Sequence, residues 1–173
     1  MLAPRETLWP AHPLLVTAAL DLLGLGPGHT LADLGCGDGP ALLAAAARGA
    51  RAVGWEIHEQ RAAALREEVA RRGLEGAVTV VTGNALEAEL GPHRVTHVYL
   101  YLIARGLRLV LPLLRRAAAA LPGGVLPVVT VLYQFEGLLP SRTVKVDTSP
   151  VARTPVYLYE VHAERAPPPP GEL

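Results

Sequence analysis

The chain is organised around one short stretch, which reads Leu31-Ala32-Asp33-Leu34-Gly35-Cys36-Gly37-Asp38-Gly39-Pro40. An apolar run ends at Asp33, three glycines follow at alternate positions, and an alanine-rich segment begins at Ala41. Alternate glycines let the backbone pass close to a ligand in conformations that a Cβ would forbid. The start of the following helix presents unpaired N–H groups and the positive end of its dipole. The stretch therefore predicts a strand–loop–helix turn that holds a small ligand.

The composition indicates a globular chain without a strongly charged surface. Of the 173 residues, 50% are hydrophobic and 18% are charged, and 16 basic residues balance 16 acidic ones. This balance argues against a nucleic-acid partner. One cysteine and six scattered histidines give no metal site. We find no secretory leader and no apolar run long enough to span a membrane, so we expect a cytoplasmic protein.

Strand-like apolar runs alternate with helical patterns along most of the chain. Helices are expected at residues 12–25, 41–48, 58–72 and 107–120, with a short helical turn at 84–90. Strands are expected at residues 30–34, 50–56, 77–82, 95–102 and 125–133. In this prediction Pro112 falls in or near the first turns of the fourth long helix, where proline is tolerated.

After the fifth strand the alternation breaks. Residues 134–140 are too few for another long helix, and two further strands are expected at 143–147 and 156–162. This order predicts an α/β fold, an open, mostly parallel sheet with an antiparallel hairpin at its C-terminal edge. We assign residues 1–165 to a single domain that begins with an extended segment at 1–11. Residues 166–173 contain four consecutive prolines and are expected to be a disordered tail.

The ligand of such a sheet binds beyond the carboxyl ends of its strands, beside the first one. Glu56 ends the second predicted strand, where a carboxylate can accept both hydroxyls of a ribose, and Asn84 follows the third, where an amide can bond an adenine edge. Both NAD and S-adenosylmethionine (SAM) fit this layout. Pro40 stands where a dinucleotide loop needs a third glycine, and the loop carboxylates Asp33 and Asp38 repel a pyrophosphate but suit a cation. The sequence therefore favours SAM.

The segment Asp33-Leu34-Gly35-Cys36-Gly37-Asp38-Gly39 resembles motif I of the class I, seven-β-strand, SAM-dependent methyltransferases, and Leu121-Pro122-Gly123-Gly124 resembles the turn before their fifth strand. The resemblance covers residues 12–162. It implies a Rossmann-like, doubly wound sheet of seven strands and methyl transfer from SAM, with S-adenosylhomocysteine (SAH) as the product. It also implies that residues 33–39 lie along the methionine moiety, that Glu56 binds the ribose and that Asn84 sits beside adenine. The donor-binding residues expected on this basis are Asp33, Gly35, Cys36, Gly37, Asp38, Gly39, Glu56, Ile57, Gly83, Asn84 and Ala85.

A narrower likeness concerns the acceptor. Trp9-Pro10, Tyr99-Leu100-Tyr101-Leu102, Ser141-Arg142-Thr143-Val144 and Val156-Tyr157-Leu158-Tyr159 are similar to small prokaryotic relatives of the mitochondrial ATP synthase c-subunit lysine methyltransferases. The likeness implies a protein lysine as acceptor, which a membrane protein can also supply.

No catalytic residue is marked, but Tyr99 or Tyr101 could line an acceptor pocket and Trp9 could close it. The stretch Leu102-Ile103-Ala104-Arg105 lacks the Asn/Asp-Pro-Pro-Tyr/Phe pattern of methyltransferases that act on planar nitrogens. A small-molecule acceptor, and a SAM- or nucleotide-binding module without transferase activity, stay open as alternatives.

Overall fold

The computed structural model describes residues 11–164. Its helices are α1 (Pro13–Leu22), α2 (Pro40–Ala47), α3 (Glu59–Arg71) and α4 (Ala104–Ala119). Its strands are β1 (Thr30–Leu34), β2 (Arg51–Glu56), β3 (Val78–Thr82), β4 (His97–Leu100), β5 (Val125–Val131), β6 (Arg142–Ser149) and β7 (Ala152–His162). Two short 3₁₀ helices follow β3 and α4, at Ala85–Glu87 and Pro122–Gly124. Trp9, the expected extended segment apart from Ala11, and the expected disordered tail lie outside the described residues.

The strands form one sheet in the order β3-β2-β1-β4-β5-β7-β6. β1 pairs in parallel with both β2 and β4, whereas β7 runs antiparallel to both β5 and β6. The chain therefore winds outwards from β1 twice, first through β2 and β3 and then through β4 and β5. The predicted α/β fold, a mostly parallel seven-stranded sheet with an antiparallel C-terminal hairpin, is confirmed.

Both faces of the sheet are covered, which explains why its central strands read as continuous apolar runs. All five residues of β1 are buried. On one face, α1, α2 and α3 pack against side chains that include Leu31 and Val129. On the other face, α4 packs against side chains that include Leu100 and Val128. Buried Phe135 in the connection after β5 belongs to this second layer, where the sequence left no room for a long helix.

Helix α4 begins earlier than the sequence predicts. It starts at Ala104, so Pro112 lies in the middle of its 16 residues and not in its first turns. Proline supplies no N–H for the helical hydrogen bond there, and Pro112 is exposed, so water can reach the carbonyl left without a partner. The start was missed because Ile103, at the N-cap, has no capping side chain. Within residues 11–164 no helix is both long and apolar enough to cross a membrane.

Strand β5 also ends differently, at Val131 and not at Tyr133. Leu132 has φ +70°, a left-handed conformation that side chains other than glycine rarely adopt. The Tyr133 N–H donates to the Val131 carbonyl at 2.9 Å, which closes a three-residue γ-turn. The Leu132 N–H donates to the Pro155 carbonyl on β7 at 2.9 Å, and the Thr130 hydroxyl donates to the Tyr133 carbonyl at 2.6 Å. These tertiary bonds hold a turn that the local sequence does not announce.

Candidate functional site

The parallel strands β1 to β4 bring their carboxyl ends to one edge of the sheet, and the strand order reverses between β2 and β4 on either side of β1. Asp33 and Gly54 are register partners on β1 and β2, and Glu56 on β2 faces Thr82 on β3. The structure therefore brings the glycine loop and the residues after β2 and β3 together at the topological switch point of an open α/β sheet.

The glycine loop is held by backbone hydrogen bonds. The N–H groups of Gly35 and Cys36 both donate to the Trp55 carbonyl on β2, at 2.9 and 3.0 Å. Gly39 precedes α2 with φ +73°, and a Cβ placed there would lie 2.5 Å from Leu65 Cδ1 on α3. Glycine is thus required at position 39 by both the backbone conformation and the packing of α3.

Glu56 joins the loop to the next helix. The residue is buried, with 5% of its surface exposed. Oε2 accepts the Gly37 N–H at 3.0 Å, and Oε1 accepts the His58 N–H at 2.8 Å, just before α3. Each carboxylate oxygen keeps a further acceptor position, so Glu56 can bind ligand hydroxyls while it holds the loop.

Asp33 is a buried carboxyl group of the site. It is 4% exposed, and burial, with the Glu56 carboxylate adding to it, raises its pKa to about 8. Within residues 11–164 no hydrogen bond to the Asp33 side chain lowers this pKa. At neutral pH Asp33 is therefore mainly the uncharged acid in the free protein, and a cationic ligand group would favour its ionised form. The ammonium and sulfonium charges of SAM therefore fit Asp33, whereas a pyrophosphate does not.

Cys36 is a packing residue. It is buried, and burial, with the carboxylates of Asp33 and Glu56 adding to it, raises its thiol pKa well above the usual range. The thiol stays protonated at neutral pH, so it is not a nucleophile.

Of the residues that follow β2 and β3, Ile57 is exposed and Asn84 caps a short helix. Ile57 is 64% exposed beside Glu56, where it offers an apolar surface to a planar ring. The Gly83 N–H donates to the Glu56 carbonyl at 2.9 Å. The Asn84 side chain caps the 3₁₀ helix, since its Oδ1 accepts the Leu86 N–H at 3.1 Å, and Ala85 is buried behind it. The amide oxygen of Asn84 keeps one free acceptor position, so its contact with adenine stays a prediction.

Tyr99 on β4 and Tyr101, which follows β4, differ sharply in their exposure. Tyr99 is only 2% exposed and belongs to the core layer of α1 to α3, so it does not form the wall of an open pocket as predicted. Tyr101 is half-buried after β4, and burial, with Tyr133 adding to it, raises its pKa. Tyr133, 40% exposed at the end of the γ-turn, lies close enough to Tyr101 to raise its pKa, and the sequence did not indicate it.

Residues 31–124, more than half of the chain, match a family model described as a methyltransferase domain. This chain belongs to that methyltransferase family. The methyltransferase is similar along nearly its whole length to a protein-lysine N-methyltransferase of Saccharolobus islandicus (strain REY15A). The two are 27% identical over 160 residues, which cover 91% of this chain and 95% of the relative.

Solved structures with a similar fold include other methyltransferases. An RNA methyltransferase from Salinibacter ruber, in complex with SAH, matches the methyltransferase with a TM-score of 0.76 and 26% identity, over 99% of this chain and 100% of that one. A geranyl diphosphate methyltransferase in complex with SAM shares the fold, with a TM-score of 0.64 and 17% identity over 86% of this chain and 85% of that one. The predictions of a SAM-dependent methyltransferase and of SAM as its methyl donor are confirmed.

Proposed function

We propose that this methyltransferase transfers the methyl group of SAM to the side-chain amine of a protein lysine. The observation that carries the proposal is the pair Tyr101 and Tyr133, which follow β4 and β5 at the edge where the glycine loop lies. Tyr133 is close enough to Tyr101 to add to the rise of its pKa. The protein-lysine relative, which aligns over 91% of this chain, supports the same acceptor.

The donor side of the proposal uses the glycine loop and the strand ends around it. Asp33 faces the cationic methionine end of SAM, and the backbone of Gly35, Cys36, Gly37, Asp38 and Gly39 lies along it. Glu56 accepts the ribose hydroxyls. Ile57, Gly83, Asn84 and Ala85 surround the adenine. What supports this arrangement is the raised pKa of the buried Asp33 carboxyl group, which a cationic ligand would lower, and the free acceptor positions of Glu56.

The acceptor side has to make a lysine amine neutral and aligned. SAM supplies an electrophilic methyl group, so that an N–CH₃ bond replaces the S–CH₃ bond, the bonding pair stays on sulfur, and the nitrogen loses a proton. Aromatic surroundings disfavour the charged ammonium, which promotes loss of that proton. Because its pKa is raised, Tyr101 keeps its phenolic proton at neutral pH and serves as a hydrogen-bonding wall, not as a base.

RNA is the second candidate acceptor, because a named RNA methyltransferase matches the whole chain with a TM-score of 0.76. The equal numbers of 16 basic and 16 acidic residues weigh against it, since RNA binding depends on a basic surface. The likeness to geranyl diphosphate methyltransferase, at 17% identity, concerns the fold.

The test incubates the purified protein with methyl-labelled SAM and an extract of the source organism. Label that survives nuclease, disappears with protease and runs as methyllysine after acid hydrolysis supports the proposal. Label that is lost with nuclease and kept with protease would replace lysine by RNA. A Gly37→Arg variant, first checked to be folded, gives the background.

A paired variant tests the acceptor wall. Tyr133→Ala should lower kcat/KM for the protein substrate roughly ten-fold while SAM affinity stays unchanged, because Tyr133 lies on the acceptor side. Leu121→Ala, at a half-buried position before β5 on the opposite edge of the sheet, is the control and should leave both values unchanged. Equal kinetics of the Tyr133 variant and the wild type would contradict the assignment.

A further inference from the structure

The hydroxyl of Tyr99 is buried in the free protein without making a hydrogen bond to residues 11–164. Tyr99 is 2% exposed, and within residues 11–164 its Oη is the one buried side-chain polar atom without a hydrogen-bond partner. Removing a hydroxyl from water without a partner is unfavourable, and phenylalanine would fill the same space without that cost. A second state of the site, in which the hydroxyl is satisfied, would explain why tyrosine stands here.

The neighbour that can satisfy it is Asp33. The two residues are register partners on the adjacent parallel strands β1 and β4, so their side chains leave the same face of the sheet. The Asp33 carboxylate is close enough to raise the pKa of the Tyr99 hydroxyl, after burial itself. Tyr99 therefore stays protonated at neutral pH and can act as a donor.

We infer that Tyr99 is a positioning residue of the methyl-donor site: its hydroxyl donates a hydrogen bond to the Asp33 carboxylate when the cationic ligand holds that carboxylate ionised. In the free protein Asp33 is mainly protonated at neutral pH and has little need of a donor. Arrival of the ligand's positive charge ionises Asp33, releases its proton to solvent and creates two strong acceptor oxygens beside the unpartnered hydroxyl.

The other titratable groups around Asp33 and Tyr99 are acidic or neutral. The Glu56 carboxylate raises the pKa of Asp33, and the carboxylate of Asp38 also lies near the Cys36 thiol. The Cys36 thiol and the Tyr101 hydroxyl have raised pKa values and stay neutral. Within residues 11–164 none of these groups supplies a positive charge to Asp33, and the proposal assigns that charge to the ligand.

The inference rests on the proposed placement of SAM at Asp33 but is independent of the acceptor. Its test measures SAM binding by isothermal titration at pH 6.5, in two buffers of different ionisation enthalpy, which gives the number of protons released. At this pH the α-amino group of the free ligand stays protonated. The wild type should release about one proton, and its affinity should rise as the pH rises towards 8.

Tyr99→Phe is the decisive variant. It should bind SAM roughly 10- to 100-fold more weakly, as expected for a lost hydrogen bond to a charged group. It should also release fewer protons than the wild type, while the melting temperature of the free protein stays the same or rises. Tyr159→Phe is the matched control, since this buried hydroxyl accepts the Phe135 N–H at 3.3 Å on the other face of the sheet. The control should melt lower and bind SAM with unchanged affinity.

A double-mutant cycle separates action through Asp33 from direct contact with SAM. In an Asp33→Asn background, Tyr99→Phe should have almost no further effect on affinity. Additive losses would overturn the inference, and so would unchanged affinity and proton release in Tyr99→Phe alone. Absence of SAM binding to the folded wild type would instead refute the donor-site placement, which is a distinguishable failure.

Discussion

Replacing Gly54 with alanine should destabilise the protein and displace the glycine loop at residues 35–39. Gly54 lies within β2, and a Cβ there would come to 2.5 Å from Leu42 Cδ1 and to 2.6 Å from Cys36 Sγ. Non-bonded carbon atoms normally stay 3.5–4.0 Å apart, so both neighbours would have to move by about 1 Å. Leu42 can rotate, but Cys36 is tied to β2 by the bond from its N–H to the Trp55 carbonyl.

The expected cost follows from overpacking of a dense core, about 1–3 kcal/mol of unfolding free energy. For a chain of this size each kcal/mol shifts the melting temperature by roughly 2–4 °C, so Gly54→Ala should melt roughly 2–12 °C lower. SAM affinity should also fall, because a displaced Cys36 moves the neighbouring Gly37 N–H away from Glu56.

Thermal melts followed by circular dichroism, with urea unfolding as a second measure, check this value. Gly76→Ala is the control, because Gly76 is exposed, its φ is not positive and its Cβ would meet nothing within 4 Å. The control should change unfolding free energy by no more than about 0.5 kcal/mol. If Gly54→Ala melts within about 1 °C of the wild type, the reasoning about the close approach of Cys36 is wrong.

Three further predictions concern other elements. Glu56→Ala should weaken SAM binding by about 1–3 kcal/mol in a titration, and Glu56→Gln should not restore it, because its NH₂ group would face one of the two N–H donors; full rescue by glutamine would contradict this geometry. Pro112→Ala should raise the melting temperature, because it restores a backbone hydrogen bond in the exposed middle of α4; a lower value would show that proline stabilises the helix. Burial, with His29 adding to it, lowers the pKa of His97 from 6.5 to about 4, so the folded state binds fewer protons than the unfolded state in that window. Urea unfolding should therefore give a stability that falls as pH falls from about 6.5 to about 4, and His97→Asn should flatten that slope; an equal slope in the variant would contradict the assignment.

The sequence predicts the elements whose signals are local. The apolar runs of β1 and β2 and the alternating glycines after Asp33 predict the sheet centre and its ligand loop, because a covered strand and a tight turn each restrict residue type strongly. The N-terminal end of α4 and the C-terminal end of β5 escaped prediction. Ile103 occupies the N-cap of α4 but has no side chain that could cap the helix, so the sequence does not mark this start. The positive φ of Leu132 is held by hydrogen bonds that involve Pro155 and Thr130, which are too far apart in the sequence for a short window to contain both.

The tyrosines show the same limit within the site. Sequence places Tyr99 and Tyr101 on or beside β4, but only the packing of α1 to α3 reveals that the first is sealed in the core while the second is half-buried at the edge. Tyr133 gave no signal, because its exposure depends on the turn that ends β5.

Under the proposed placement of SAM, the Glu56 carboxylate, which accepts the N–H groups of Gly37 and His58, prepares the site before the methyl donor arrives. The two bonds fix the loop before α2 and the start of α3 in the free protein. The chain entropy of these segments is therefore lost when the protein folds and not when the donor arrives. On this placement each new SAM molecule would meet a loop already held in shape, so binding should leave the backbone almost unmoved and the site should be ready again as soon as SAH leaves.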